Sequence, residues 1–306
     1  MLKFLFFLFP FFISPVFAQI NLTELGRFGG TGSKAGMFKN PSAIDISENR
    51  KVFVCDQGNH RIQAFDLKGN FIKDFGGYGW TDEQFDQPKD IWARSTINMF
   101  VADFNNQRVQ RFDRHMNYIN SFYSNAGEEE RFQFREVLSV AYSPQGDIFI
   151  LDGGENKVIK FNRQNQGETA FGYYESGTGE LSDPVQLDLT SDYRVLVSDA
   201  EESSIFVFDY FGSYLNKISH PDFQLPNGLA IDDQGKIYLT DSGSKSIFIF
   251  YPNFQFLYQI KNIGNIPFKN PMDLALFKNK INDYNLYLID SDQIVIASLQ
   301  FNESRE

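Results

Sequence analysis

Val52-Phe53-Val54-Cys55-Asp56-Gln57-Gly58-Asn59-His60-Arg61-Ile62 sets the pattern for the whole chain. Four apolar residues end in an aspartate, five polar residues follow, and an aliphatic residue opens a new apolar run. That is a short strand, a tight turn and the start of a second strand. The same ending recurs at Met99–Asp103, Ile148–Asp152, Val195–Asp199, Ile237–Asp241 and Leu286–Asp290, at steps of 42 to 49 residues. Six residues past each Asp stands Ile62, Val109, Val158, Ile205, Ile247 or Ile296. Nine past it stands Phe65, Phe112, Phe161, Phe208, Phe250 or Leu299. Self-similarity at this period marks a repeat architecture in which each unit is one small sheet.

Working outward, Pro41, Pro88, Pro184 and Pro226 lie 15 residues before their Asp, Pro271 lies 19 before, and Val137 takes the place in the third copy. Nineteen residues after the first five aspartates come Phe75, Phe122, Phe171, Ile218 and Ile260. Each unit thus reads as four strands: one after the proline, one ending at Asp, one carrying the Phe, and one ending near the last apolar position. Turn sequences such as Asp232-Asp233-Gln234-Gly235 and Leu67-Lys68-Gly69-Asn70 separate them. No segment has a convincing helical period. Six such units predict an all-β chain, a six-bladed β-propeller of four-stranded antiparallel blades. The sixth copy ends too soon for a fourth strand, and an orphan strand, Leu22 to Phe28, precedes the first copy. The N-terminal strand is therefore expected to complete the last blade, which removes an open sheet edge.

These residues resemble the NHL repeat. Asp56-Gln57-Gly58-Asn59-His60-Arg61-Ile62 looks like the family's Asp-x-Gly-Asn-x-Arg-Ile core, and Asp103-Phe104-Asn105-Asn106-Gln107-Arg108-Val109 is close to it. Phe38-Lys39-Asn40-Pro41 and Phe85-Asp86-Gln87-Pro88 match its Phe-x-x-Pro entry. The polar signature fades along the chain: the Arg becomes Lys157, Ser204, Ser246 and Val295. The resemblance implies a scaffold that binds protein or RNA. A few propellers of similar architecture are metal-dependent lyases or lactonases, and fold does not choose among these activities.

Before the repeats, Met1-Leu2-Lys3, the apolar run Phe4–Ile13 and Val16-Phe17-Ala18 read as a signal peptide cut after Ala18, leaving one propeller domain over residues 19–306. The expected location is periplasmic or extracellular, with no membrane insertion of the mature form. Loss of residues 1–18 removes Lys3 alone, so 27 basic residues face 39 acidic ones. Nucleic acid is a poor partner for such a surface. The single cysteine, Cys55, excludes an internal disulfide and sits in a strand, as a buried thiol would.

The loops at the proline end of blades 1 to 3 carry Tyr78, Trp80, Tyr123, Tyr173 and Tyr174 beside Asn59, His60, Arg61, Asn105, Asn106 and Arg108. Aromatic residues and arginine dominate binding hot spots, so this end is the expected face for a protein, peptide or glycan. The repeated Asp and Arg themselves read as turn architecture. Alternation along the strand after each proline places Asp45, Asp90, Asp188 and Asp273 in the central channel, with Trp92 filling or capping it. Four axial carboxylates suggest a hard cation such as calcium, and with it the alternative of a metal-assisted hydrolase or lyase. No catalytic residue and no required cofactor is assigned. His60, His115 and His220 lie on different loops, too scattered for one zinc.

Overall fold

The structure, a computed structural model, describes residues 19–302. The signal-peptide reading of residues 1–18 lies outside them. Six four-stranded antiparallel sheets, each hydrogen-bonded in order from its innermost to its outermost strand, make six blades. Blade 1 runs through Pro41–Ile46, Lys51–Asp56, Arg61–Asp66 and Phe71–Gly76. The innermost strands touch in the order of blades 1 to 6 and back to 1, which closes the ring.

The closing blade is built from both ends of the chain. Pro271–Lys280, Asp283–Asp290 and Gln293–Asn302 supply three strands, and Gln19–Gly29 supplies the outermost. Leu22 lies opposite Leu299 and Phe28 opposite Ile294, with a bulge between Glu24 and Gly26. The only helical pieces among the described residues are single 3-10 turns at Gln57–Asn59, Glu130–Phe132 and Tyr174–Ser176. None of these is long and apolar enough to cross a membrane.

The core is divided among six buried clusters, one at each blade–blade interface. Val52 and Val54 pack toward blade 6, against Tyr287 and Ile289. Phe53 and Cys55 pack toward blade 2, against Ile91 and Val101. Both faces of every blade are covered, which is why the second strands are uninterrupted apolar runs rather than alternating ones.

This corrects the assignment by alternation for Ala43 and Trp92, while Asp90 and Asp273 do border the channel. Successive side chains of an innermost strand point to its two neighbouring blades, and the strand's edge, not a face, borders the channel. Ala43 is accordingly core, and Trp92 does not cap the bore. Its ring packs between blades 2 and 3, with centroids 6.1 Å from Phe100 and 5.5 Å from Tyr142.

The Phe-x-x-Pro entry of blades 1 and 2 has a counterpart in every blade. Three residues before each blade start stand Phe38, Phe85, Phe134, Leu181, Phe223 and Phe268, all buried. They are plugs that seat the entering loop against the blade. The plug explains the glycine that ends the outermost strand. A Cβ on Gly76, at φ +106°, would lie 2.6 Å from the Phe85 ring, and Gly29 stands in the same relation to Phe38.

Candidate binding face and axial mouth

The repeated aspartates are architectural in all six blades. Asp56 accepts the backbone N–H of Lys39 at 2.8 Å, and Asp103 that of Asp86 at 2.8 Å. Asp152 takes Arg135, Asp199 takes Ser182, Asp241 takes Gln224 and Asp290 takes Lys269. Each carboxylate pins the segment that enters its own blade, and a carboxylate is suited to this because it accepts several donors at once.

The polar members of the expected binding face mostly serve the same purpose. Arg61 pairs with Asp56 at 2.8 Å and donates to the carbonyls of Lys34 and Met37. Arg108, almost wholly buried, pairs with Asp103 at 2.8 Å and donates to Thr81 O, Gln84 O and the Tyr123 hydroxyl. Asn59 and Asn106 donate to Asp56 and Asp103 and to the carbonyls of Gly32 and Gly79. His60 Nδ1 accepts the N–H of Gln87 at 3.1 Å, and its ring meets Tyr78 edge-on at 5.0 Å. These five residues staple the Gly-rich loops to the turns. What remains exposed on that end is Asn105 and four aromatics: Tyr78, Trp80 (74% exposed), Tyr123, whose hydroxyl accepts from Arg108, and Tyr174 (81% exposed). Tyr173 is half-buried.

The four axial aspartates are all buried, and their oxygens are engaged. Each innermost strand has an unpaired edge, so its inward N–H groups need acceptors. Three residues after the proline register those donors are Ile44, Ile91, Val140, Leu187, Leu229 and Leu274. Asp273 takes Leu274 with one oxygen and, across the blade boundary, Ile44 with the other. Asp90 does the same for Ile91 and Val140. Ser139 Oγ accepts Leu187, and Gln186 Oε1 accepts Leu229. The belt closes around the ring with every one of the six donors satisfied. The two blades whose predecessors offer only Ala43 or Gly228 are those in which an aspartate serves two amides.

Burial pushes the carboxyls of Asp90 and Asp273 above the usual aspartate range, and the Asp273 shift is the larger.

Two residues further along, Asp45 accepts Ile46 N–H and, from blade 2, Ala93 N–H. Asp188 accepts Leu189 N–H. Arg94 spans the channel between them, with Nε 3.0 Å from Asp45 and a terminal nitrogen 2.8 Å from Asp188. Burial pulls the guanidinium down, but Asp188 and Asp45 more than reverse it, so the cation is held. Among the described residues no group of three or more His, Cys, Asp or Glu converges as metal ligands would. The carboxylates expected to hold calcium instead fasten blade to blade and pair with an arginine that the strand pattern did not single out. Arg94 lies just past the end of its strand, where alternation carries no information.

Beyond the aspartate belt, at the proline end, the channel opens into a cavity of about 530 Å³. Its wall includes the residue that follows each proline position: Ser42, Lys89, Leu138, Val185, Asn227 and Met272.

Residues 38–65 and 223–250 match the NHL repeat. The chain is a six-bladed β-propeller that carries NHL repeats at these two places. Over 109 residues it is 28% identical to human (Homo sapiens) E3 ubiquitin-protein ligase NHLRC1, covering 36% of this chain and 27% of that protein. Protein brain tumor of Drosophila melanogaster is 24% identical over 123 residues, 40% of this chain and 12% of that protein. The alignments thus span about a quarter or less of these relatives. Among solved structures, a Bacteroides thetaiotaomicron protein of unknown function superposes with TM-score 0.68 at 13% identity, over 93% of this chain and 76% of that one. A streptogramin B lyase superposes with TM-score 0.62 at 12% identity, over 92% and 98%. At such identities the likeness concerns fold alone.

Proposed function

We propose that this NHL propeller is an exported, non-catalytic binding scaffold, whose partner docks off-centre on the loops of blades 1 to 3. The observation that carries the reading is the contrast on that end. Its polar motif residues are tied into the loops before blades 1 and 2, while Tyr78 and Trp80 on the second of those loops, Tyr123 at the end of its strand and Tyr174 on the loop before blade 4 stand exposed. Rigid, solvent-facing aromatics lose little entropy when a partner covers them. In blades 4 to 6 the corresponding loops carry no such set; the one after blade 5 folds into a small hairpin, Asn262–Ile263 with Ile266–Pro267. A protein is the favoured partner class, in keeping with NHL relatives named as ubiquitin-protein ligases, and a peptide or glycan would use the same aromatics. Export rests on the apolar, small-residue-terminated N-terminus.

The test is affinity capture from the native compartment with wild-type protein and the Trp80→Ala/Tyr174→Ala double variant. Loss of the captured partner in the variant supports the reading, and equal capture refutes it. N-terminal sequencing of the mature protein tests export; a first residue other than Gln19 refutes cleavage after Ala18.

A further inference from the structure

The axial cavity presents an imbalance of hydrogen-bonding groups. Three carboxylates border it, and all three are filled. Asp90 and Asp273 serve the amide belt, and Asp292 accepts from Thr31 Oγ1 at 2.6 Å and from Asn40 N–H at 3.2 Å. The one cation on the wall is not filled. Lys89 Nζ has no hydrogen-bond acceptor and no carboxylate within ion-pair distance among the described residues. Its ammonium lies 5.9 Å from the centroid of the Phe104 ring. Burial pulls the ammonium below the usual lysine range, and Asp183, which with Glu136 and Lys89 itself lines an adjoining outer cavity, partly restores it. A half-buried ammonium with three donors uncommitted within the protein is open to an acceptor that a ligand brings.

Asn227 stands at the equivalent position of blade 5, three blades away and so opposite Lys89 across the ring. Its Oδ1 accepts both the N–H and the hydroxyl of Ser242. Because a backbone N–H can only donate, this fixes the amide orientation and leaves the Asn227 NH2 group as a free donor pair. Leu138 and Val185, on blades 3 and 4, form an apolar wall between the two. The mouth therefore offers a cation, an opposing neutral donor and an apolar side. Its volume, about 530 Å³, matches a small organic ligand.

We propose that the axial mouth is a binding site for a small organic anion, whose carboxylate or phosphate group pairs with Lys89 while a second acceptor reaches Asn227 and the carbon chain lies along Leu138 and Val185. This site goes beyond the aromatic rim and uses none of its residues, so either can fail without the other.

Calorimetric titration with glutarate, its neutral analogue glutaramide, and glycerol 3-phosphate tests the proposal. At least one anion binds saturably and glutaramide does not; which anion binds identifies the group recognised. Lys89→Gln weakens anion binding by about tenfold or more, since a charge-assisted contact is lost, and Lys89→Arg retains part of it. Asn227→Asp keeps an acceptor for Ser242 but turns the free amide into a carboxylate, and it also weakens the anion. Circular dichroism melts of the variants separate lost binding from lost fold. Absence of saturable binding by both anions up to about 10 mM, equal binding of glutaramide, or affinity unchanged in folded Lys89→Gln overturns the proposal.

Discussion

The guanidinium of Arg94, carried on blade 2, donates to both carboxylate oxygens of Asp188 on blade 4 at 2.8 Å. With its contact to Asp45 on blade 1 it ties three blades together across the channel. Removing a partner from such a group leaves buried like charges. Arg94→Met is expected to lower unfolding free energy by roughly 2–3 kcal/mol in urea titrations, with the guanidinium's partial exposure keeping the figure below that of a fully buried pair. Asp188→Asn added to it recovers part of the loss, and a double-mutant cycle measures the coupling. Burial already raises the Asp188 carboxyl, and Arg94 holds it back. Without Arg94 the folded-state value climbs further, so the deficit of Arg94→Met grows as pH rises above the carboxylate range and shrinks in acid.

Asp273 carries a second pH signature. Burial, with Asp90 nearby, raises its carboxyl well above the ordinary 3.8. A folded-state value above the unfolded one means the native protein binds the proton more tightly. The stabilising contribution is complete below the unfolded value and is lost as pH rises through the folded one. Asp273→Asn abolishes this term, so the difference in stability between wild type and variant changes across that interval. The variant also sets an amide NH2 against one of two backbone donors, Ile44 or Leu274, which costs about 1–3 kcal/mol at acid pH. Stability curves of both proteins from acid to neutral pH check the sign.

Gly69 in the outer turn of blade 1 receives Phe28 of the N-terminal strand. A Cβ there, at φ +83°, would sit 2.4 Å from the phenyl ring. Gly69→Ala is expected to destabilise by about 2–3 kcal/mol, combining backbone strain with overpacking. Gly36→Ala, at φ +78° with nothing within 4 Å of the new methyl, provides the contrast and costs about 1 kcal/mol. Urea midpoints measure both. Hydrogen exchange in Gln19–Gly29 should accelerate in the first variant and not in the second.

Cys55 is wholly buried, and burial together with the surrounding carboxylates, Asp90 and Asp273 first, pushes its thiol well above the normal range. It should be inert to Ellman's reagent in the native protein at pH 8 and react fully in denaturant. Native reactivity at the rate of a free thiol would contradict the packing between blades 1 and 2.

The fold was legible because the repeat is written in residues whose roles are local. A strand ending in Asp, a turn and an aliphatic restart require only near neighbours, and so blade number, strand number and the role of Leu22–Phe28 followed from spacing. The architectural reading of the Asp–Arg pairs was likewise visible, since both members lie in one turn. The buried thiol at Cys55 followed from its strand.

The axial site was not legible in the same way. Alternation along a strand tells which residues share a face, but only the ring decides what each face meets. Here blades cover both faces, so the channel is bordered by strand edges, and Asp45, Asp90, Asp188 and Asp273 are drawn to unpaired amides one blade away. Arg94 meets Asp188, 94 residues distant in sequence, solely because the ring brings their blades to a common axis. Lys89 and Asn227 face each other for the same reason. Local hydrogen bonding and hydrophobic period are properties of the chain itself; which buried charges find partners, and which is left without one, depends on separations that only closure of the ring creates.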